Sequence, residues 1–181
     1  MNTKMNFLKI NIVIVTLVSI LSCTGNTETK SSKPVVVQQD NYIDKNRVLV
    51  KKDRQAIIGF MSRKNLEMNE TKTGLWYQIY ENGTGKIVEP DKLITINYEV
   101  RLLDGTICYA NPPGKPKTFL VGKGNVESGL EEGVLLLREG DKVRFLMPPH
   151  LAHGHTGDND KIPPRAILDY RVEVLSIQDP N

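Results

Sequence analysis

Cysteine is scarce in this chain: of 181 residues only Cys23 and Cys108 carry a thiol. Two thiols can make at most one bridge and no disulfide framework, so the fold must stand on its apolar core. An excess of either charge is lacking as well. The formal net charge is +3, falling to about +1 once a leader holding Lys4 and Lys9 is set aside, which is too little to hold nucleic acid. The cations between Arg47 and Arg54 lie among apolar residues at helical spacing and read as a solvated helix face. There is no internal repeat, no nucleophile paired with a base, and no full dinucleotide loop. Gly122 and Gly124 sketch a Gly-x-Gly, but the third glycine is missing and Glu127 would repel a phosphate. His150, His153 and His155 fall within six residues, with Asp158 and Asp160 close behind. They read either as a metal-responsive flap or as a polar flap with incidental histidines. No Cys accompanies them and no second-sphere acid pattern is present, so neither a metal nor another cofactor is expected.

A long apolar run is missing too. The stretch from Ile10 to Leu21 is broken by Asn11, Thr16 and Ser19 and is too short for a comfortable membrane span. With Lys4 and Lys9 ahead of it and no acid, it has the layout of a signal peptide over residues 1–22. It ends Ile20-Leu21-Ser22-Cys23, which resembles the bacterial lipobox, where the chain is cut before the Cys and that Cys is acylated. The other reading is an uncleaved anchor helix. An acylated Cys23 would anchor the chain without spanning the bilayer, each buried methylene contributing roughly 0.8 kcal/mol and more than one acyl chain being needed. Cys108 would then have no partner. Glu28 is the only early acid after Cys23, so no surface-export tag is evident and the expected location is the cell envelope, facing the periplasm.

Removing 22 of the 181 residues leaves 159, room for one domain and a tail. Residues 23–40 are Thr, Ser, Lys and Gln around Pro34 and read as a flexible tether. Residues 41–72 space Val48, Leu49, Ile57, Ile58, Phe60, Met61 and Leu66 in a helical pattern, with Asp44 or Asp53 as early-turn acids. This helical extension packs either on the domain or between chains, which leaves the oligomeric state open.

From residue 73 to 178 the period becomes two. Ile94, Ile96, Tyr98, Val100 and Leu102 alternate with polar residues; so do Leu168, Tyr170, Val172 and Val174, and, less cleanly at Leu146, Val143, Phe145 and Met147. Leu75 to Tyr80 is a further strand, closed by Asn82-Gly83, and Asp104-Gly105 marks a hairpin. The single helix expected here runs from Ser128, as its cap, to about Arg138, with Glu131 and Glu132 at its positive end; Gly133 weakens it and Gly140 ends it. One short helix on one antiparallel sheet makes an α+β roll.

These segments together resemble the FKBP-type peptidyl-prolyl cis-trans isomerases: the strand ITINYEV, the turn LLDG, the run FLVGKGNVESGLEEGV, the turn REGDKVRFLMPP, the closing IPP and the strand ILDYRVEVL. The resemblance implies a half-barrel, a twisted antiparallel sheet wrapped on one short helix. With the lipobox and the Cys108-Tyr109 pair, the chain is similar to the gliding-motility-associated FKBP-type lipoproteins of Bacteroidetes.

The resemblance also implies a prolyl pocket. Tyr98 matches the pocket tyrosine of the second strand, although a plain core aromatic is the alternative. Val126 and the N–H of Glu127 match the backbone donor before the helix. Leu130 stands where the floor is often Trp, Ile162 matches the flap contact, and Tyr170 the aromatic of the last strand. Together they imply a water-poor bowl, floored by Leu130 and free of charge. Departures are visible. Cys108-Tyr109 replaces the usual Phe-Asp, so a pocket wall passes to Cys108 and the carboxylate has no obvious heir; His153 replaces a flap tyrosine; Lys117 replaces an aromatic. They imply poor binding of the family's macrolide drugs and weak or unusual turnover. The implied function is isomerisation of prolyl bonds in exported clients; the alternative is a chaperone of the same fold that binds proline-containing clients with little catalysis.

Overall fold

The computed structural model describes residues 36–180, with side chains from residue 42 onward. The signal peptide, Cys23 and most of the expected tether lie outside the described residues. Helix α1 runs Val36–Lys64. It begins five residues ahead of the expected extension, because no glycine or proline interrupts the chain between Val35 and Ile58. Asp44 and Asp53 are consequently not early-turn acids; the first turn of α1 holds none. The helix stops at Asn65, whose φ of 51° is left-handed, and the Leu66 N–H returns to the Met61 carbonyl at 3.0 Å.

The strands are β1 (Asn69–Glu70), β2 (Trp76–Glu81), β3 (Leu93–Leu102), β4 (Ile107–Ala110) and β5 (Lys117–Leu120), followed by helix α2 (Ser128–Val134), β6 (Lys142–Met147), a single 3-10 turn at Pro149–Leu151 and β7 (Leu168–Gln178). All pairings are antiparallel, in the order β1-β2-β6-β7-β3-β4. β5 shares the outer edge of β3 with β4, holding its first half while β4 holds its second.

Register assigns the two faces. Residues directly opposite in an antiparallel sheet point the same way and their chain neighbours the other way. Tyr77, Phe145, Tyr170 and Val100 form one row; Trp76, Leu146, Asp169 and Arg101 form the next. The first row faces α2 and the main core, which includes Leu130, Val134, Phe145 and Tyr170. The second row faces α1: Ile57 and Phe60 close over Trp76 and Leu146. This explains why Leu146 broke the alternation: its face is covered by a helix instead of water. Asp169, 3% exposed, is on that face and receives two hydrogen bonds from Arg144, at 2.8 and 2.6 Å, while the guanidinium also lies over the Phe60 ring.

Helix α2 is shorter than the sequence pattern suggested, because tight turns at Leu136 and Leu137 lead the chain out of it. Ser128 does not cap it. Glu127 is the N-cap, and the Ser128 hydroxyl donates to the Leu151 carbonyl at 3.2 Å, tying the start of the helix to the turn after β6. Gly129 and Gly133 are the close-approach points. A Cβ on Gly133 would stand 2.6 Å from the Phe145 ring, and one on Gly129 2.7 Å from the Met147 sulfur. The glycine that weakens the helix in isolation is the one that lets it lie on β6.

Candidate functional site

The expected site residues meet on the inner face of the sheet. Tyr98 shares a row with Val172, two rows from Tyr170 and on the same face, and the two tyrosine rings are 6.2 Å apart with a 30° tilt. Leu130 (0% exposed), Ile162 (3%) and Tyr170 (2%) form the deep part. Tyr98, Val126 and Tyr109, partly buried, pack on the same cluster, and Cys108 lies within it. A neighbouring open groove of about 400 Å³, between Asn97, Glu99, Asn111, Lys142 and Arg171, shares only Tyr98 with these residues and is lined by charge, so it is a separate feature.

The turn that delivers Val126 and Glu127 is held by one side chain. Gly122 and Gly124, both at positive φ, direct their N–H groups to the two Glu131 carboxylate oxygens at 2.6 and 2.9 Å. The glycines therefore bind an acid from the first turn of α2. At Glu127 the carbonyl accepts the helix's first N–H groups, from Leu130 and Glu131, while its own N–H makes no hydrogen bond among the described residues.

Glu127 also brings a carboxylate into the bowl, which corrects the expectation of a charge-free hollow. Its Oε1 accepts from the Tyr170 hydroxyl at 3.0 Å and lies 3.1 Å from His153 Nε2; its Oε2 is buried without a partner. Burial, first, and the adjacent Glu127 charge hold the Tyr170 phenol well above the ordinary tyrosine range.

The flap between Pro148 and Leu168 closes the other side. Asp158 organises it: Oδ1 accepts the N–H groups of Asp160 and Ile162 at 2.9 and 2.8 Å, and Oδ2 accepts the Tyr109 hydroxyl at 2.5 Å. The Tyr109 hydroxyl, first among several donors, holds the Asp158 carboxyl down at about 2, and Asp158 in turn raises the Tyr109 phenol. Cys108, its thiol raised by burial, lies 3.5 Å from the Lys161 carbonyl. The three histidines have separate partners: His150 Nε2 is 2.9 Å from the Thr73 carbonyl, His153 reaches Glu127, and His155 is 3.5 Å from Arg165. No group of three metal-ligating side chains converges among the described residues.

Two polar side chains at the site are not singled out for it by the sequence: Glu127 enters there for its backbone N–H and as a charge that would repel a phosphate, and Asp158 as a neighbour of histidines. The residues themselves are in plain sight: an acid before α2 and a hydroxyl on the last-strand tyrosine, and a tyrosine on β4 with an acid on the flap. Which hydroxyl meets which carboxylate depends on register and flap path, which spacing does not carry.

Comparison with known proteins gives a consistent result. The profile of the family described as FKBP-type peptidyl-prolyl cis-trans isomerase matches residues 85–175. The chain is 34% identical over 146 residues to the probable FKBP-type peptidyl-prolyl cis-trans isomerase FkpA of Neisseria meningitidis, covering 79% of this chain and 53% of that one. It is 37% identical over 124 residues to the macrophage infectivity potentiator of Trypanosoma cruzi, covering 66% and 62%. It thus spans between half and two thirds of those relatives' lengths. Among solved structures, FkpA from Escherichia coli superposes with a TM-score of 0.61 at 28% identity, over 80% of this chain and 64% of that one.

Proposed function

Since the chain belongs to the FKBP-type peptidyl-prolyl cis-trans isomerase family, we propose that it catalyses rotation about X-Pro bonds of exported proteins at the inner face of its sheet. The supporting observation is the meeting of Tyr98, Val126, Leu130, Ile162 and Tyr170 beside the unpaired Glu127 N–H.

Rotation about the amide is opposed by C–N resonance, a barrier of about 18–20 kcal/mol. X-Pro bonds populate both isomers and exchange over tens to hundreds of seconds. Water favours the charge-separated planar form over the twisted one. Leu130, Ile162 and the two tyrosine rings remove water from the prolyl amide and so reduce that preference. The Glu127 N–H takes a substrate carbonyl, and packing against the proline ring holds the twisted geometry. No proton is transferred and no covalent bond forms.

The test is a proline-limited refolding assay on the chain from about residue 41, with Tyr98→Ala and Leu130→Gln as variants. Isomerisation predicts accelerated slow-phase refolding that falls at least tenfold in both. The chaperone alternative draws on the covered floor in this conformation, Leu130 having no exposed surface; under it the slow phase is unchanged and only aggregation yield responds.

Membrane attachment is part of the proposal and rests on Leu21-Ser22-Cys23. No helix among the described residues is long and apolar enough to cross a membrane. An acyl group on Cys23 would hold the domain at the envelope, facing the periplasm, within reach of proline-containing clients. A role in gliding motility rests on the lipobox combined with Cys108-Tyr109. Labelling with a radioactive fatty acid should mark the wild type and spare Cys23→Ala.

A further inference from the structure

We propose that Asn111 is the positioning residue for Tyr98, holding it at the wall of the bowl through both of its main-chain polar groups. The inference rests on the isomerase reading above and adds a residue outside the bowl on which the bowl depends.

The need for such a residue begins in the sequence. β3 hands its outer edge from β5 to β4 partway along. The last β5 pair is Ile96 with Lys117, and the first β4 pair is Glu99 with Ala110. Asn97 and Tyr98 fall in the gap between the two ladders. The chain that crosses it reads Asn111-Pro112-Pro113-Gly114-Lys115-Pro116, and three of those six residues have no N–H to give to a ladder. The Lys115 N–H is spent on the Pro112 carbonyl at 3.0 Å, closing a turn. A strand cannot continue here, yet Tyr98 is half-buried and its main-chain groups need partners.

Asn111 supplies both. The Tyr98 N–H donates to Asn111 Oδ1 at 2.6 Å, and the Asn111 N–H donates to the Tyr98 carbonyl at 3.3 Å. In an antiparallel strand the N–H and C=O of one residue point to the same side, so those of Tyr98 face away from β7 although it lies opposite Val172. The Asn111 side chain is braced in turn. Its Nδ2 donates to Asn97 Oδ1 at 2.9 Å, Asn97 Nδ2 donates to Glu173 Oε2 at 3.0 Å, and Lys142 stands 3.8 Å from Glu173 Oε1. A main-chain donor at one end and a carboxylate at the other fix the sense of both amides, because turning either one over sets oxygen against oxygen or N–H against N–H.

The Tyr98 ring is carried on that main chain. It stands 6.2 Å from the Tyr170 ring, has Lys117 Nζ 5.5 Å from its centre, and packs on the cluster that holds Leu130 and Ile162. Slack at the gap in β3 therefore moves the ring against Tyr170 and changes the width of the bowl.

The test follows cis-trans exchange of an Ala-Leu-Pro-Phe peptide by NMR, together with hydrogen exchange of the Tyr98 amide, in the wild type, Asn111→Ala, Asn111→Asp and Thr118→Ala. Thr118→Ala removes a 3.0 Å hydroxyl contact to Thr95 on the same edge of β3 and is the control. Asn111→Ala should lower kcat/KM about tenfold, speed exchange of the Tyr98 amide about tenfold, and weaken the NOE between the Tyr98 and Tyr170 rings. Asn111→Asp keeps an oxygen for the Tyr98 N–H but turns Asn97 away from Glu173, so both quantities should stay within about threefold of the wild type. Thr118→Ala should stay within about twofold. Circular dichroism confirms that the variants are folded. Equal losses in the Ala and Asp variants overturn the proposal, as does a Tyr98 amide that exchanges faster with kcat/KM unchanged. If the wild type turns over no peptide, the isomerase reading fails by itself. The amide and the NOE then decide, since neither needs turnover: Tyr98 signals that loosen in Asn111→Ala and recover in Asn111→Asp support the assignment, and signals that match the wild type in both refute it.

Discussion

Gly133 offers the sharpest check on how the site is built. Replacing it by alanine would improve the helix considered alone, since alanine is favoured over glycine there by about 1 kcal/mol. The added methyl carbon would, however, stand 2.6 Å from Phe145 Cζ and 2.7 Å from Cε1. Phe145 has no exposed surface and lies in register between Tyr77 and Tyr170, so its ring has no empty side to move into. Overfilling a packed core typically costs about 1–3 kcal/mol. The balance is a net loss of roughly 0–2 kcal/mol, about 1 kcal/mol at the centre, which is a fall in Tm of about 2–4 °C. Urea melts followed by fluorescence of the single tryptophan, Trp76, measure it, because that side chain is buried between α1 and the sheet. The double variant Gly133→Ala/Phe145→Leu should recover part of the loss, since a shorter side chain vacates the contact. Gly129→Ala should lose less, because its contact is the pliable Met147 side chain. If Gly133→Ala is as stable as the wild type or more so, α2 can lift from β6 freely and the close approach does not position Glu127 and Leu130.

The remaining predictions concern charge and the flap. Asp169→Ala strands Arg144 against Phe60 and should destabilise by about 3 kcal/mol in urea melts. The Asp158 carboxyl, folded at about 2 and thus below its unfolded value, adds stability that is complete above pH ~4 and lost as pH falls toward 2. Carboxyl NMR should place its midpoint near 2 in the wild type and visibly higher in Tyr109→Phe. Asp53→Ala removes the 2.6 Å pair that ties α1 to Arg165, and should raise amide exchange from residue 155 to 165 with little change in Tm. Macrolide binding should be weak in a fluorescence titration, because Lys117 and Glu127 bring charge to the bowl; a nanomolar Kd contradicts that account.

Period two was enough to find β3, β6 and β7, because each has one face in the core and its register follows from the alternation. The two exceptions, Leu146 and Asp169, both lie under α1, and nothing in a local window announces that a distant helix will cover a polar face. Helix α2 was found, but its ends were not. Its length is set by turns at Leu136 and Leu137 and its start by Ser128 bonding to Leu151, contacts that have no local signal. The bowl residues were legible from the family pattern one position at a time. What that transfer left out is which hydroxyl meets which carboxylate. Tyr170 has its hydroxyl where Glu127 has a carboxylate, and Tyr109 has a hydroxyl where the flap supplies Asp158.

The two helices constrain the site from opposite faces of one sheet. α2 rests on β6 through its glycines and presents Glu127 and Leu130. α1 rests on the other face through Ile57 and Phe60 and also reaches around to the flap, where Asp53 holds Arg165 just past Ile162-Pro163-Pro164. Arg165 has a φ of 58°, a left-handed backbone that is unfavourable for a residue with a Cβ and persists when something fixes it. Its N–H to the Gly154 carbonyl, its ion pair to Asp53 and its contact with His155 fix it. Helix α1 packs on the domain, one of the two placements its sequence leaves open, and is tied to the flap that carries Ile162, so removing it frees Arg165 as well as uncovering Trp76 and Leu146.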